Sequence, residues 1–229
     1  MRPRIICHMI SSIDGRIDSP AFKALAGSGV YETAAARLEG DSWICGRITM
    51  QHFAGDEPFV SASGIAAGPQ PVHVARRSGS YAVAVDTTGM LRWPESDIDG
   101  DHLICVMSER APEDYLGMLR QKGISYIVAG RDSVDLAQAA ESLGRDFGIR
   151  RLLLEGGGHI NGGFLQAGLI DEISFLLVPG IDGRRGIVSV FDGLDPSRDA
   201  AVPLKLTSVE QLKDDILWLR YEVTPFPGN

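Results

Sequence analysis

The stretch RLLLEGGGHINGGFLQAGLIDEISFLLVPGIDG (residues 151–183) decides how this chain is read. An apolar run closes on Glu155. Gly156, Gly157 and Gly158 follow, then His159, Ile160 and Asn161, two more glycines and a short apolar segment stopped by Gly168. A second apolar run begins at Glu172, so the stretch reads strand, helix, strand. Glycine gives up the most backbone entropy on folding and weakens regular structure. Five glycines around a carboxylate at a strand end therefore imply that something lies close to bare backbone. In open α/β sheets, ligands bind beyond the carboxyl ends of the strands. Free N–H groups and the dipole at a helix start suit a phosphate or pyrophosphate. The spacing is not a standard fingerprint: Asn161 stands where GxGxxG needs its last glycine, and GxxxxGK[ST] is absent. The other reading is a tight strand-to-helix turn whose glycines serve packing.

Working outward, apolar runs at 4–11, 42–45, 81–86, 103–107, 125–129, 151–155 and 172–178 read as strands. Helices are expected over 31–38, 47–53, 112–122, 136–147 and 161–167, with Pro112 opening one and Gly123 stopping it. The alternation predicts an α/β fold with a mainly parallel central sheet flanked by helices. The segments 204–211 and 216–224 read as an antiparallel C-terminal hairpin at one sheet edge. Residues 55–70, rich in Gly, Ala, Ser and Pro, form a long loop, which in a compact domain is often functional or mobile. With no repeat and no linker, residues 1–229 are expected to form a single domain.

The 229 residues are 44% apolar and 23% charged, the mix of an ordinary globular protein. A net charge of −8 argues against gripping nucleic acid or anionic membrane through bulk charge. No apolar run approaches the roughly 20 residues of a membrane span. The N-terminus reads as a first strand, not a signal peptide, and the expected location is the cytoplasm. Cys7, Cys45 and Cys105 sit in strand-like segments without a CxxC pair and read as buried free thiols. The five histidines have no metal-ligand spacing, and no metal is expected.

Two further stretches carry chemistry. In DSWICGRITM (residues 41–50) a short strand leads to Gly46, Arg47 and Thr49 at a helix start. A guanidinium there can pair two N–H groups with phosphate oxygens, and the hydroxyl can donate another bond. Taken alone, a surface arginine and a capping threonine explain it as well. In AVAVDTTGML (residues 82–91), Asp86 and Thr87 end another strand. Tyr31 and Trp43 read as core aromatics rather than ring-stacking platforms.

Together, GRIT, the EGGG…FLQAGLIDEI block, SSIDGRID (residues 11–18) and AVAVDTTGML resemble the dihydrofolate-reductase-like superfamily. Within it they are most similar to the pyrimidine reductase domain of riboflavin biosynthesis. That domain is usually the C-terminal half of a bifunctional deaminase/reductase. The zinc deaminase signature is absent here, so a free-standing reductase is expected. The resemblance implies NADPH as hydride donor and an activity like that of 5-amino-6-(5-phosphoribosylamino)uracil reductase. It places Gly46, Arg47 and Thr49 at the cofactor's phosphate and ribose end, and Thr87 near the adenosine. The backbone of Gly156, Gly157, Gly158, His159, Ile160 and Asn161 would lie against the pyrophosphate. Ser11 or Ser12 would lie near the nicotinamide, and Glu155 would bind substrate. The resemblance also implies a homodimer, and the apolar load of ILWLRYEV (residues 216–223) at a sheet edge points to the C-terminal strands as its interface.

One departure stands out. Riboflavin reductases usually continue with a DNP-x-LT-x-R segment whose arginine holds the substrate phosphate. Here TMQHFAGDEPFVSASG follows, and no arginine occurs between Arg47 and Arg76. Arg76, Arg77 or another base must take that role, or the substrate differs: a folate, a pterin or another carbonyl or imine compound. A non-catalytic NADPH-binding protein is the remaining alternative. The cofactor carries hydride chemistry, so few side chains are needed. Asp14 and Glu155 are the candidates for handling the proton, Asp14 reading equally as the Asp-Gly of a turn.

Overall fold

A computed structural model describes residues 1–17, 25, 29–194 and 201–224. The chain divides into two compact units, one of Met1–Pro3 with Asp41–Leu152 and one of Arg4–Gly40 with Leu153–Asn229.

In the first unit, β2 (Ser42–Gly46), β3 (Tyr81–Val85), β5 (Asp101–Met107) and β6 (Ser125–Val128) pair in parallel in that order. The two-residue strand β4 (Asp97–Ile98) runs antiparallel to the start of β5 and had no sequence signal of its own. All of β3 and residues 102–107 of β5 are buried. A parallel sheet covered on both faces produces such unbroken apolar runs. Helix α2 is a single turn, Arg47–Met50. Helix α3 (Glu113–Gln121) buries Tyr115, Leu116 and Leu119, one face at helical spacing, against Trp93, Leu103 and Cys105. Helix α4 (Leu136–Asp146) is capped by the Asp135 carboxylate, which accepts from Gln138 N–H at 2.9 Å.

The long loop is tied down. The Asp114 carboxylate, at the start of α3, accepts from Ser61 Oγ at 2.8 Å and Ala62 N–H at 2.7 Å. Phe59 packs edge-on to Tyr115, ring centres 5.0 Å apart. The sequence marked residues 55–70 as a loop of the kind that is often functional or mobile; a carboxylate 52 residues from Ala62 supplies an anchor.

The second unit holds β1 (Arg4–Ser11), helix α1 (Val30–Ala36), helix α5 (Gly158–Gln166), β8 (Glu172–Leu177), β9 (Leu204–Gln211) and β10 (Leu217–Val223). Strand β7 (Arg151–Leu154) spans the division of the chain, and the strand order on this side is β7–β1–β8–β10–β9. Strands β1 and β8 are parallel; β8–β10 and β10–β9 are antiparallel. The expected C-terminal hairpin is therefore present, with β9 outermost. Buried Glu172 pairs with Arg4 at 3.0 Å and with Arg220 at 2.7 Å. Buried His8 lies 2.9 Å from Ser174 Oγ, which also accepts from Trp218 Nε1 at 2.8 Å. Its ring stacks on Tyr31 at 4.3 Å, so Tyr31 is structural. Burial pulls the His8 imidazole down to about 4, leaving it neutral at neutral pH. All three cysteines are free and buried. No helix among the described residues is long and apolar enough to cross a membrane.

Candidate active site

The parallel register of the first unit lines up three strand ends. Gly46 sits beside Val85, and Val85 beside Val106, so Gly46–Arg47, Asp86–Thr87 and Ser108 form a row at the carboxyl edge. The Thr87 carbonyl accepts from Ser108 N–H at 3.0 Å and from Ser108 Oγ at 2.9 Å. Arg47 is exposed, and its guanidinium has no hydrogen-bond or ion-pair partner among the described residues. Thr49 is half-buried and Thr87 is likewise partly accessible. Four of the sequence-picked residues, Gly46, Arg47, Thr49 and Thr87, thus gather in one unit. Trp43 is not among them: its Nε1 donates to Asp101 Oδ2 at 2.8 Å.

Asp86 emerges as the organiser of this row. It is 1% exposed, and its Oδ2 accepts from Met90 N–H at 2.6 Å and Leu91 N–H at 2.7 Å, shaping the turn after Thr87. Oδ1 is buried with no hydrogen-bond partner among the described residues. Burial raises this carboxyl, against the pull of the Leu91 and Met90 N–H groups and the Arg47 charge. The sequence signal was the aspartate closing an apolar run; Ser108 closes one in the same way.

In the second unit, the carboxyl ends of β1, β7 and β8 bring Ser11, Ser12, Asp14, Glu155 and the 156–161 backbone together with the 178–192 segment. The Ser11 carbonyl accepts from Val178 N–H at 2.9 Å, and Ser12 N–H donates to the Arg16 carbonyl at 3.1 Å. Ser11 Oγ donates to the Ser12 carbonyl at 2.8 Å. These serines are engaged within their own turn. Glu155 is half-buried directly after β7.

Asp14 is pinned. Its Oδ1 accepts from Ser12 Oγ at 2.6 Å and Asp182 N–H at 3.0 Å, and its Oδ2 accepts from Gly183 N–H at 2.9 Å. The Ser12 hydroxyl first, then the two N–H groups, hold its carboxyl down at about 2. A carboxylate so held carries no proton near neutral pH; Glu155 is the other carboxylate put forward by the sequence.

The glycine cluster has a partly intramolecular explanation. A Cβ on Gly158 would meet the Ser189 carbonyl oxygen at 2.3 Å, and one on Gly162 the Asp192 carbonyl oxygen at 1.9 Å. Asp192 N–H donates to the Gly158 carbonyl at 3.0 Å, and Asn161 Nδ2 to the Val190 carbonyl at 2.8 Å. For these two glycines, the neighbour that lies on bare backbone is the chain itself. This packing carries α5 back to Gly158, three residues before the sequence pattern placed its start. Gly157 remains half-exposed and His159 exposed at the helix start. Asn161 is fully buried, and its Oδ1 has no hydrogen-bond partner among the described residues.

Arg76 and Arg77 lie at the wrong end of the strands for the role considered for them. Both precede β3. Arg76 pairs with Asp97 and donates to His102 Nδ1 at 3.1 Å, at the amino end of β5; Arg77 donates to the Asp146 carbonyl at 2.8 Å.

Each unit of this α/β protein carries candidate residues at the carboxyl ends of its strands: an exposed arginine and a buried aspartate in the first, a half-buried glutamate and a glycine-rich helix start in the second. Comparison with known proteins sharpens this. The chain belongs to the RibD C-terminal domain family, which it matches over residues 3–218, through both units. It is 29% identical over 224 residues to the 2,5-diamino-6-ribosylamino-4(3H)-pyrimidinone 5′-phosphate reductase of Methanothermobacter thermautotrophicus, covering 95% of this chain and 97% of that one. The protein of the same name from Archaeoglobus fulgidus is 25% identical over 197 residues, 84% of this chain and 88% of that one. In fold, the chain is similar to the crystal structure of a pyrimidine reductase-like protein from Corynebacterium diphtheriae. The TM-score is 0.73 at 17% identity, with 97% and 92% of the two chains covered.

Proposed function

We propose that the protein is an NADPH-dependent reductase that converts the ribosylamino group of a pyrimidine 5′-phosphate into a ribitylamino chain, a step of riboflavin biosynthesis. The observation that carries this is the near end-to-end likeness to the Methanothermobacter reductase. That relative's name supports the 2,5-diaminopyrimidinone phosphate as substrate rather than the aminouracil. NADPH, when bound, supplies the hydride for C1 of the opened sugar. The chain's own residues position, exclude water and handle the accompanying proton. In the first unit, Arg47 fits a phosphate: an exposed guanidinium without a hydrogen-bond or ion-pair partner among the described residues, beside a half-exposed glycine at a strand end. Thr49 and Thr87 are assigned to the same end of the cofactor. In the second unit, the 156–161 backbone is assigned to its pyrophosphate, Ser11 to the nicotinamide and Glu155 to the pyrimidine ring. The reductase is assigned to the cytoplasm.

The direct test mixes the protein with NADPH and the diaminopyrimidinone phosphate and follows absorbance of the reduced nicotinamide. Turnover with loss of absorbance is expected, faster than with the aminouracil or a dihydropterin. No oxidation with any of them returns the chain to the non-catalytic reading. In the same assay Arg47→Ala is expected to raise the KM for NADPH about tenfold and to leave that for NADH nearly unchanged, since only the former carries a 2′-phosphate. Equal effects on both would remove Arg47 from that role.

The assembly proposed is a homodimer through the C-terminal strands. All eight residues of β9 are exposed, and Leu204, Leu206 and Val209 are 42%, 52% and 55% accessible. An open edge strand with apolar side chains calls for cover. Light scattering is expected to give twice the chain mass at micromolar concentration, and Val209→Lys to shift it toward the monomer. A monomeric wild type would remove the proposal.

A further inference from the structure

The proposed substrate carries a phosphate monoester, and Arg76 and Arg77 are committed at the amino ends of the strands. The second unit offers a replacement. Beyond β8 the chain reads GIDGRRG, residues 180–186. This loop leaves the carboxyl end of β8 beside the turn that follows β1: Ile13 N–H donates to the Gly180 carbonyl at 2.8 Å. The Asp14 carboxylate takes the next N–H groups, of Asp182 and Gly183, at 3.0 and 2.9 Å. The Asp182 side chain, 1% exposed, in turn accepts from Arg184 Nε at 2.7 Å and Nη2 at 2.9 Å. Arg184 is thereby neutralised and fixed. Arg185, next in the chain, is exposed and makes no side-chain hydrogen bond or ion pair among the described residues. The other arginines described in this unit are occupied. Arg4 and Arg220 pair with Glu172, Arg37 pairs with Glu210, and Arg16 donates to the Ile187 carbonyl at 2.8 Å.

We infer that residues 181–186 are the arm that holds the sugar phosphate of the substrate, with Arg185 as its cation and Asp14 as its brace. The inference rests on the reductase reading for the identity of the phosphate. A braced loop suits the task, because a preformed backbone leaves little ordering cost to be met on binding. A guanidinium without an internal partner gives up no ion pair when it meets an anion, and it can offer two parallel N–H groups to phosphate oxygens. Asp14 acts here through the loop and touches no ligand. It is a positioning residue, which accounts for a carboxylate kept ionised by three donors at the mouth of the site.

The test titrates the wild type, Arg185→Ala, Asp14→Asn and Arg76→Ala with ribose 5-phosphate and with ribose, and separately with NADPH and NADH. The wild type is expected to prefer ribose 5-phosphate over ribose. Arg185→Ala should lower that preference about tenfold, and Asp14→Asn should lower it as well by loosening the loop. Arg76→Ala should keep it, and the NADPH-to-NADH preference should stay constant in all four. Should Asp14→Asn not fold, Arg185→Ala, a change on an exposed side chain, still decides. Three results would overturn the inference: no preference for ribose 5-phosphate in the wild type, an unchanged preference in Arg185→Ala, or a shift in the cofactor preference instead. Failure of the reductase reading looks different: ribose 5-phosphate selectivity dependent on Arg185, with no NADPH oxidation when the pyrimidine substrate is added.

Discussion

Gly162→Ala is expected to lose about 3 kcal/mol of stability, the upper part of the usual range for overpacking. Its new Cβ would stand 1.9 Å from the Asp192 carbonyl oxygen, with the Asp192 carbonyl carbon 3.0 Å away. Both are backbone atoms, so no side-chain rotation relieves the clash. Either α5 or the 188–192 segment must move, and the hydrogen bonds of Asp192 N–H and Asn161 Nδ2 across that contact go with it. For a chain of this length the melting temperature should fall by roughly 6–12 °C. Gly117→Ala is the matched control. It lies inside α3, and its Cβ would meet nothing within 4 Å, so helix propensity alone should raise stability by up to about 1 kcal/mol. Calorimetry on the two variants checks both signs. A Gly162→Ala protein that melts with the wild type would show that the glycine is not needed for packing.

Glu155→Gln is expected to lower kcat/KM for the pyrimidine about ten- to a hundredfold with little change in NADPH affinity. The substitution keeps the shape and exchanges one acceptor oxygen for a donor. A ring that presents N–H groups to a carboxylate then loses a charge-assisted bond of about 1.5–3 kcal/mol. With Asp14 occupied by three donors and held at about 2, Glu155 is the remaining carboxylate of the pair picked from the sequence. Steady-state kinetics together with fluorescence titration of NADPH separate the outcomes. Weaker NADPH with unchanged turnover of bound substrate would assign Glu155 to the cofactor loop. No change in either would make it structural.

Strand positions were legible in the sequence because each parallel strand is a local apolar run. Strand β1 spans the residues expected, 4–11, and β3, β5, β6, β7 and β8 fall within two residues of expectation. The hairpin was legible for the same reason, and the family likewise: GRIT and EGGG are contiguous motifs placed at strand ends, and a strand end can be read locally. Strand β4, two residues long, has too little pattern to read.

What the sequence could not supply depends on partners far along the chain. The role of Gly158 and Gly162 was open between ligand and packing, since a glycine marks close approach without naming what approaches; the fold of 188–192 onto α5 supplies a packing need that no local pattern could show. Asp14 read as a proton donor or a turn residue; its donors Asp182 and Gly183, 168 and 169 positions later, could not be seen in the sequence. Arg76 and Arg77 looked available until the direction of β3 put them at its amino end, against Asp97 and Asp146. Local periodicity determined which segments are strands and helices, because backbone geometry repeats over a few residues. Which side chains remain free for chemistry was decided by the tertiary structure, because hydrogen-bond satisfaction is settled between segments that the sequence holds far apart.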